Sequence, residues 1–195
     1  MNARFTRQAI ALVFLLLAAP HWGSAISPQE QAETTAVERF QIAVSRYVSL
    51  HRKIERFVPA IKDVTDPLEA ERSMITMSDA IRRSRWSVTE GNVFIGEVAI
   101  EIHKTLTTAI RDADPACQRR VSDIFQPPGE IWSETVNDAF PWALSRMLPP
   151  CVQNALPKLP IELQYRVVGA DLVLVDLHAN LIVDILRGAL PQATR

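Results

Sequence analysis

The sequence predicts an α+β fold, an N-terminal helical bundle-like half packed on a C-terminal three-stranded antiparallel meander. Three observations carry this expectation. Helical apolar spacing recurs over roughly 100 residues before the C-terminal third. Three helix starts share one grammar, a capping residue followed by proline: Ser27-Pro28, Asp66-Pro67 and Asp114-Pro115. From Leu163 to Leu186 the period changes to two, broken by turn residues at Gly169 and near Asn180.

The first 25 residues do not belong to the fold. Arg4 and Arg7 form a basic start, Ala9 to Ala19 is an apolar run, and Gly23-Ser24-Ala25 supplies small residues for cleavage. This is the pattern of a secretory signal peptide, too short for a membrane span, with an uncleaved anchor as the alternative. Residues 26–195 then form a single α+β domain in the periplasm or outside the cell, with no further segment long enough to span a membrane. The whole chain has a net charge of −1, and the leader takes away two arginines and no acid. Such a balance gives no attraction for nucleic acid.

The first helix is expected over about 28–57. Val37, Phe40, Val44, Tyr47, His51, Ile54 and Val58 recur at spacings of three and four and make one apolar stripe. His51 stands where an apolar residue belongs. It reads as a core-edge imidazole bonded to a carbonyl or a neighbouring helix, because no second His, Cys or carboxylate is seen on its face at metal-ligand spacing. A second helix is expected over 67–88, with Ala70, Met74, Met77 and Ile81 inward. At its end Arg82, Arg83, Arg85 and Trp86 form the densest basic patch, a candidate anion-binding site or simply cations complementing the last turn.

Residues 93–103 support two readings. As a strand they place Glu97, Glu101 and His103 on one surface, an acid-base or metal set. As a helix over 96–112 they bury Ala99, Ile102, Leu106 and Ile110 and turn His103 away. The helix is preferred because its period runs on to Asp112 while the alternation stops at His103.

A short helix follows over 115–125 with Cys117, Val121 and Ile124 inward. A Pro-rich wrap over 127–160 is anchored by Trp132, Phe140, Trp142 and Met147. Cys117 and Cys151 permit one intramolecular disulfide in an oxidising compartment. No C-x-x-C motif, Cys/His zinc set, serine elbow, P-loop or H-E-x-x-H is present.

The meander over 163–186 carries the sharpest constellation. Gly169-Ala170 suits a type II′ turn, and Asn180 suits a turn with positive φ. With a three-residue second loop, Asp176, His178 and Asp184 share a face, a candidate metal or acid-base set. Asp and His beside turns also commonly satisfy loop amides, and a slip of one residue moves Asp184 to the opposite face.

The run LPKLPIELQYRVVGADLVLVDLHANLIVDILRGALP, with SDAIRRSRWSVTEGNVF and WALSRMLPP, resembles a family of small exported bacterial proteins of unknown function. Its mark is a closing "YRxVGxDLVLxDxxANLIVD" hairpin. The tail alone is more weakly similar to periplasmic nickel/cobalt-homeostasis regulators, where it is a structural hairpin. These resemblances imply location and fold and no chemistry. Two functions are therefore expected in order: a non-catalytic binding or envelope-associated protein with a protein partner in the cell envelope, paired through an exposed strand edge, or a metal-dependent or acid-base hydrolase using Asp176, His178 and Asp184. The cofactor is unknown at this level.

Overall fold

A computed structural model describes residues 28–58, 66–124 and 132–190, with side chains from residue 35 onward. The expected leader at 1–25, the cap at Ser27, the break at Pro59 and the start of the Pro-rich wrap lie outside the described residues.

Among the described residues, five α-helices and a four-stranded sheet follow one another as α1 (Pro28–Glu55), α2 (Pro67–Ser84), α3 (Gly96–Arg111), α4 (Pro115–Ile124), β1 (Ser145–Arg146), α5 (Pro150–Gln153), β2 (Leu163–Val168), β3 (Asp171–Asp176) and β4 (Leu181–Leu186). Two expected helix starts are built as the sequence suggests. Asp66 accepts the Leu68 amide at 3.0 Å, and Asp114 accepts those of Ala116 and Cys117 at 2.8 and 2.9 Å. Residues 96–111 are helical, which settles the ambiguous stretch and turns His103 away from Glu97 and Glu101. Glu97 pairs with Arg39 of α1 and Glu101 with Lys104 of its own helix.

The α+β class holds, with two corrections. The sheet has four antiparallel strands in the order β1-β2-β3-β4, not three, because Ser145 and Arg146 of the Pro-rich wrap pair with Val168 and Val167. The second helix also ends at Ser84 rather than near 88, since the Arg85 amide already closes its last turn on Ile81 and Arg82.

Gly169, at φ +60°, makes the two-residue turn between β2 and β3, where only the first central residue has a positive φ. The next loop is longer than expected. Asp176 pairs with Leu181, so Leu177 to Asn180 form a four-residue loop with Asn180 at φ +50°.

The central strand β3 is covered on both faces, as a strand apolar on both faces must be. Leu172 and Leu174 join Phe40, Tyr47, Met77, Ile102 and Leu106 in the core under the helices. Val173 and Val175 pack instead with Phe140, Ile182 and Ile185, with Trp132 and Leu144 against them. The expected helical cover therefore serves one face, and residues 132–144 supply the other.

That second cover also occupies the outer edge of β4. Asn137 and Phe140 amides donate to Ile182 and Asn180 carbonyls at 2.9 and 3.1 Å, and the Ile182 amide returns to Asp138 at 3.0 Å. Along this part of β4 the edge is already paired, so it offers no strand addition to a partner.

Cys117 and Cys151 are joined by a disulfide that fastens α4 to α5 across 34 residues of sequence. Replacing both by serine should lower unfolding free energy in denaturant by about 3 to 4 kcal/mol, the scale expected for a loop of this length. An unchanged unfolding midpoint would show that the crosslink restrains little.

Candidate functional site

The site begins with a buried carboxylate. Asp176 closes β3 with no measurable exposure, and a carboxylate so placed requires donors for both oxygens. Its Oδ1 accepts the Ala179 amide at 2.8 Å, which shapes the loop after β3. Its Oδ2 accepts the Tyr47 hydroxyl at 2.7 Å and the Nδ1 proton of His51 at 2.6 Å. Tyr47 and His51 are four residues apart on α1, so one carboxylate grips two successive turns of one helical face.

Donation from Nδ1 leaves the lone pair of a neutral His51 on Nε2. That atom is buried and has no hydrogen-bond partner, on a residue only 1% exposed. One turn further along α1, Glu55 places Oε2 at 3.8 Å from it. The other Glu55 oxygen lies 3.2 Å from His178 Nδ1 in the loop after β3. The two imidazoles meet edge-on with centroids 5.8 Å apart, and His178 Nε2 lies 3.3 Å from Ser73 Oγ on α2.

One ligand atom from each of His51, Glu55 and His178 lies within 4.8 Å of the others. Ligands about 2.05 Å from a tetrahedral zinc stand about 3.3 Å from one another. The two Glu55 oxygens lie 3.2 Å from His178 and 3.8 Å from His51, so this carboxylate reaches both imidazoles. Both rings are also held from behind, His51 by Asp176 and His178 by Ser73, as metal-ligating imidazoles usually are.

Burial works against a charged His51, but the hydrogen bond and charge of Asp176, with the charges of Glu55 and Glu162, outweigh it and raise its pKa above the ordinary 6.5. Burial is also the main reason the Tyr47 phenol titrates well above its usual value, reinforced by the Asp176 charge and hydrogen bond. Tyr47 therefore remains a donor.

Beside this cluster, Arg85 is buried with its guanidinium 4.9 Å above the Tyr47 ring. It donates to Asn137 Oδ1 and the Val183 carbonyl, each at 2.8 Å. Burial lowers its pKa, opposed by the charges of Asp184 and Asp176. It is one fixed positive charge set among acidic groups.

The expected set of Asp176, His178 and Asp184 is brought together only in part. Asp176 reaches the cluster through His51, and His178 is in it. Asp184 faces the helices as Asp176 does, because a bulge between Leu174 and Val175 absorbs the register change caused by the four-residue loop, but it pairs with Leu174, away from the loop that carries His178. Its oxygens are taken by the amides of Gly91, Val93, Phe94 and Ile185 at 2.6 to 2.9 Å. Burial pushes its pKa up while those four amides pull it down, with a net rise.

The expected basic patch does not converge. Arg85 turns inward, Arg82 donates to the Asn137 carbonyl at 2.9 Å, and Arg83 and Trp86 remain exposed.

Glu55 and Ser73 went unremarked in the sequence. Glu55 had a signal, an H-x-x-x-E spacing from His51, but it lies at the edge of the apolar stripe. Ser73 had none. It is buried one turn before Met77 on the inner face of α2, beside the half-buried Met74. Ser73, His178 and Glu55 are aligned as serine, imidazole and acid are in hydrolases. Ser73, however, lies within α2, where the surrounding amides are committed to the helix and none is free to stabilise an oxyanion.

Two outcomes follow. Asp184→Ala should cost on the order of 3 kcal/mol in urea unfolding, because it strands buried amide donors; a cost under about 0.5 kcal/mol would contradict the anchoring role. In chelator-treated protein, protonated His51 stabilises the fold fully below pH 6.5. That contribution should disappear as pH rises through the raised folded pKa, and His51→Gln should flatten this part of the stability profile. Comparison with protein-family models, curated proteins and solved structures finds no match, so the site is read from its own geometry.

Proposed function

We propose that this chain is an exported, non-catalytic protein that binds a divalent transition-metal ion through His51, Glu55 and His178. The observation that carries the reading is the buried, unpartnered Nε2 of His51, oriented by Asp176 toward Glu55 and His178. A buried nitrogen lone pair without a donor is costly in a native interior. A metal ion satisfies it and neutralises the acidic groups gathered there.

The donor chemistry narrows the class of ion. Two imidazoles and a carboxylate suit zinc and neighbouring transition metals, whereas calcium and magnesium prefer all-oxygen shells. Export rests on the leader-like N-terminus and on a disulfide of the kind that persists in oxidising compartments. The hydrolase alternative draws support from the Ser73–His178–Glu55 alignment, and the missing oxyanion donors count against it. Among the described residues no helix is long and apolar enough to cross a membrane.

Titration of chelator-treated protein with zinc should give one tight site. At a free zinc concentration 100-fold above Kd, it should raise unfolding free energy by about 2.7 kcal/mol. Magnesium should give no such change. His51→Ala, Glu55→Gln and His178→Ala should each weaken zinc binding at least about tenfold. A wild-type chain that neither binds zinc nor gains stability from it would sink the reading.

A further inference from the structure

The two edges of the sheet are finished differently. Residues 137–140 already pair with the outer side of β4. On the opposite side β1 pairs only with Val167 and Val168 of β2. It ends there because Pro149 and Pro150, which have no amide to donate, lead the chain away into α5. Among the described residues, Leu163 to Arg166 therefore run on past β1 without a neighbouring strand on that side.

The register fixes which backbone groups face the gap. The two-residue turn makes Val168 and Asp171 a hydrogen-bonded pair, so Arg166 and Gln164 also bond β3. Val167, Tyr165 and Leu163 alternate with them and direct their amides and carbonyls outward. Val167 meets β1, and the Leu163 amide donates to the Pro160 carbonyl at 3.1 Å. Among the described residues the outward amide and carbonyl of Tyr165 have no partner. Tyr165 is only 3% exposed, so water reaches them poorly, and unpaired backbone groups in such a place are costly.

A groove of about 440 Å³ lies along this edge, between Leu163, Gln164 and Tyr165 on one side and residues of the 153–161 segment on the other. Leu163 and Tyr165 point into the core and Gln164 points to the opposite face. A cavity touched by all three runs beside the strand, not over either face. Its surroundings are basic. Lys158 lines it, Arg166 donates to Gln164 in its wall at 2.9 Å, and Arg146 closes β1. Among the described residues none of these three cations is paired with a carboxylate, on a chain whose net charge is −1.

We propose that this edge is a peptide-docking site, where an extended acidic segment of an exported partner protein adds to β2 as a further strand. The added strand supplies the missing donor and acceptor to Tyr165, and its carboxylates meet Lys158, Arg146 and Arg166. Docking there needs no metal at His51, Glu55 and His178.

The test uses the full chain, treated with chelator, and a short fluorescent peptide alternating valine with glutamate, followed by anisotropy at low salt. The peptide should bind, and binding should weaken as salt rises. Replacing its glutamates by lysine should weaken binding at least about tenfold. N-methylation of one alternate set of its amides should abolish binding, and of the other set should spare it, because only one set faces β2. The Tyr165 amide should become protected from hydrogen exchange in the bound state. Lys158→Glu combined with Arg166→Glu should reverse the preference, so that the valine–lysine peptide binds the better.

No binding of the valine–glutamate peptide, equal binding of the valine–lysine peptide, or binding indifferent to N-methylation of both sets would overturn the proposal. If the double variant fails to fold, the wild-type chain decides alone: a Tyr165 amide that exchanges as fast with peptide bound as without it would equally overturn strand addition.

Discussion

A carboxylate with no contact with water organises the interface between helices and sheet. Asp176 cannot be left unpaired in the interior, and its acceptor capacity is met by one amide of its own loop and two donors of α1. Those bonds set how far α1 extends along β3 and which face it presents. They also fix the tautomer of His51. The apolar contacts of Phe40, Val44 and Met77 with Leu172 and Leu174 hold the layers together, but hydrophobic contact has no direction. The hydrogen bonds supply the register that turns a packed interface into a site.

Asp184 does the equivalent work at the other end of the seam. It holds the loop at Gly91 to Phe94 against β4 and so positions the start of α3. The φ of +82° at Gly91 turns the chain so that amides close together in sequence converge on one carboxylate. Arg85 sits between the two acids, stacked on Tyr47, and tempers their charge. One acid thus serves the scaffold alone, while the other serves the scaffold and the site.

Much of the fold was legible because it follows from local rules. The Asp66 and Asp114 caps, the 3.6-residue stripe through Phe40, Val44 and Tyr47, and the glycine turn at 169 each depend on residues within a few positions of one another. The site was legible only in fragments. His51, Asp176, His178 and Asp184 stand out as polar residues in apolar surroundings, yet spacing alone grouped Asp184 with His178 and left His51 apart. A four-residue loop and a compensating bulge decide where Asp184 faces, and neither is written in the apolar pattern. Glu55 looks like an ordinary surface acid in the sequence, because the His178 it meets comes from an element far away in the chain.

By itself, then, the sequence determined the α+β class, most helix starts, the helical state of residues 96–111 and the pair of cysteines available for a bridge. These depend on backbone propensity, capping and periodicity, which act over short distances. Only the tertiary structure decided that residues 132–144 close the second face of the sheet, that Arg85 turns inward, and that His51, Glu55 and His178 meet. The physical reason is the same in each case. A polar side chain takes its role from whichever donor, acceptor or charge the packed layers bring within about 3 Å, and that neighbour lies scores of residues away.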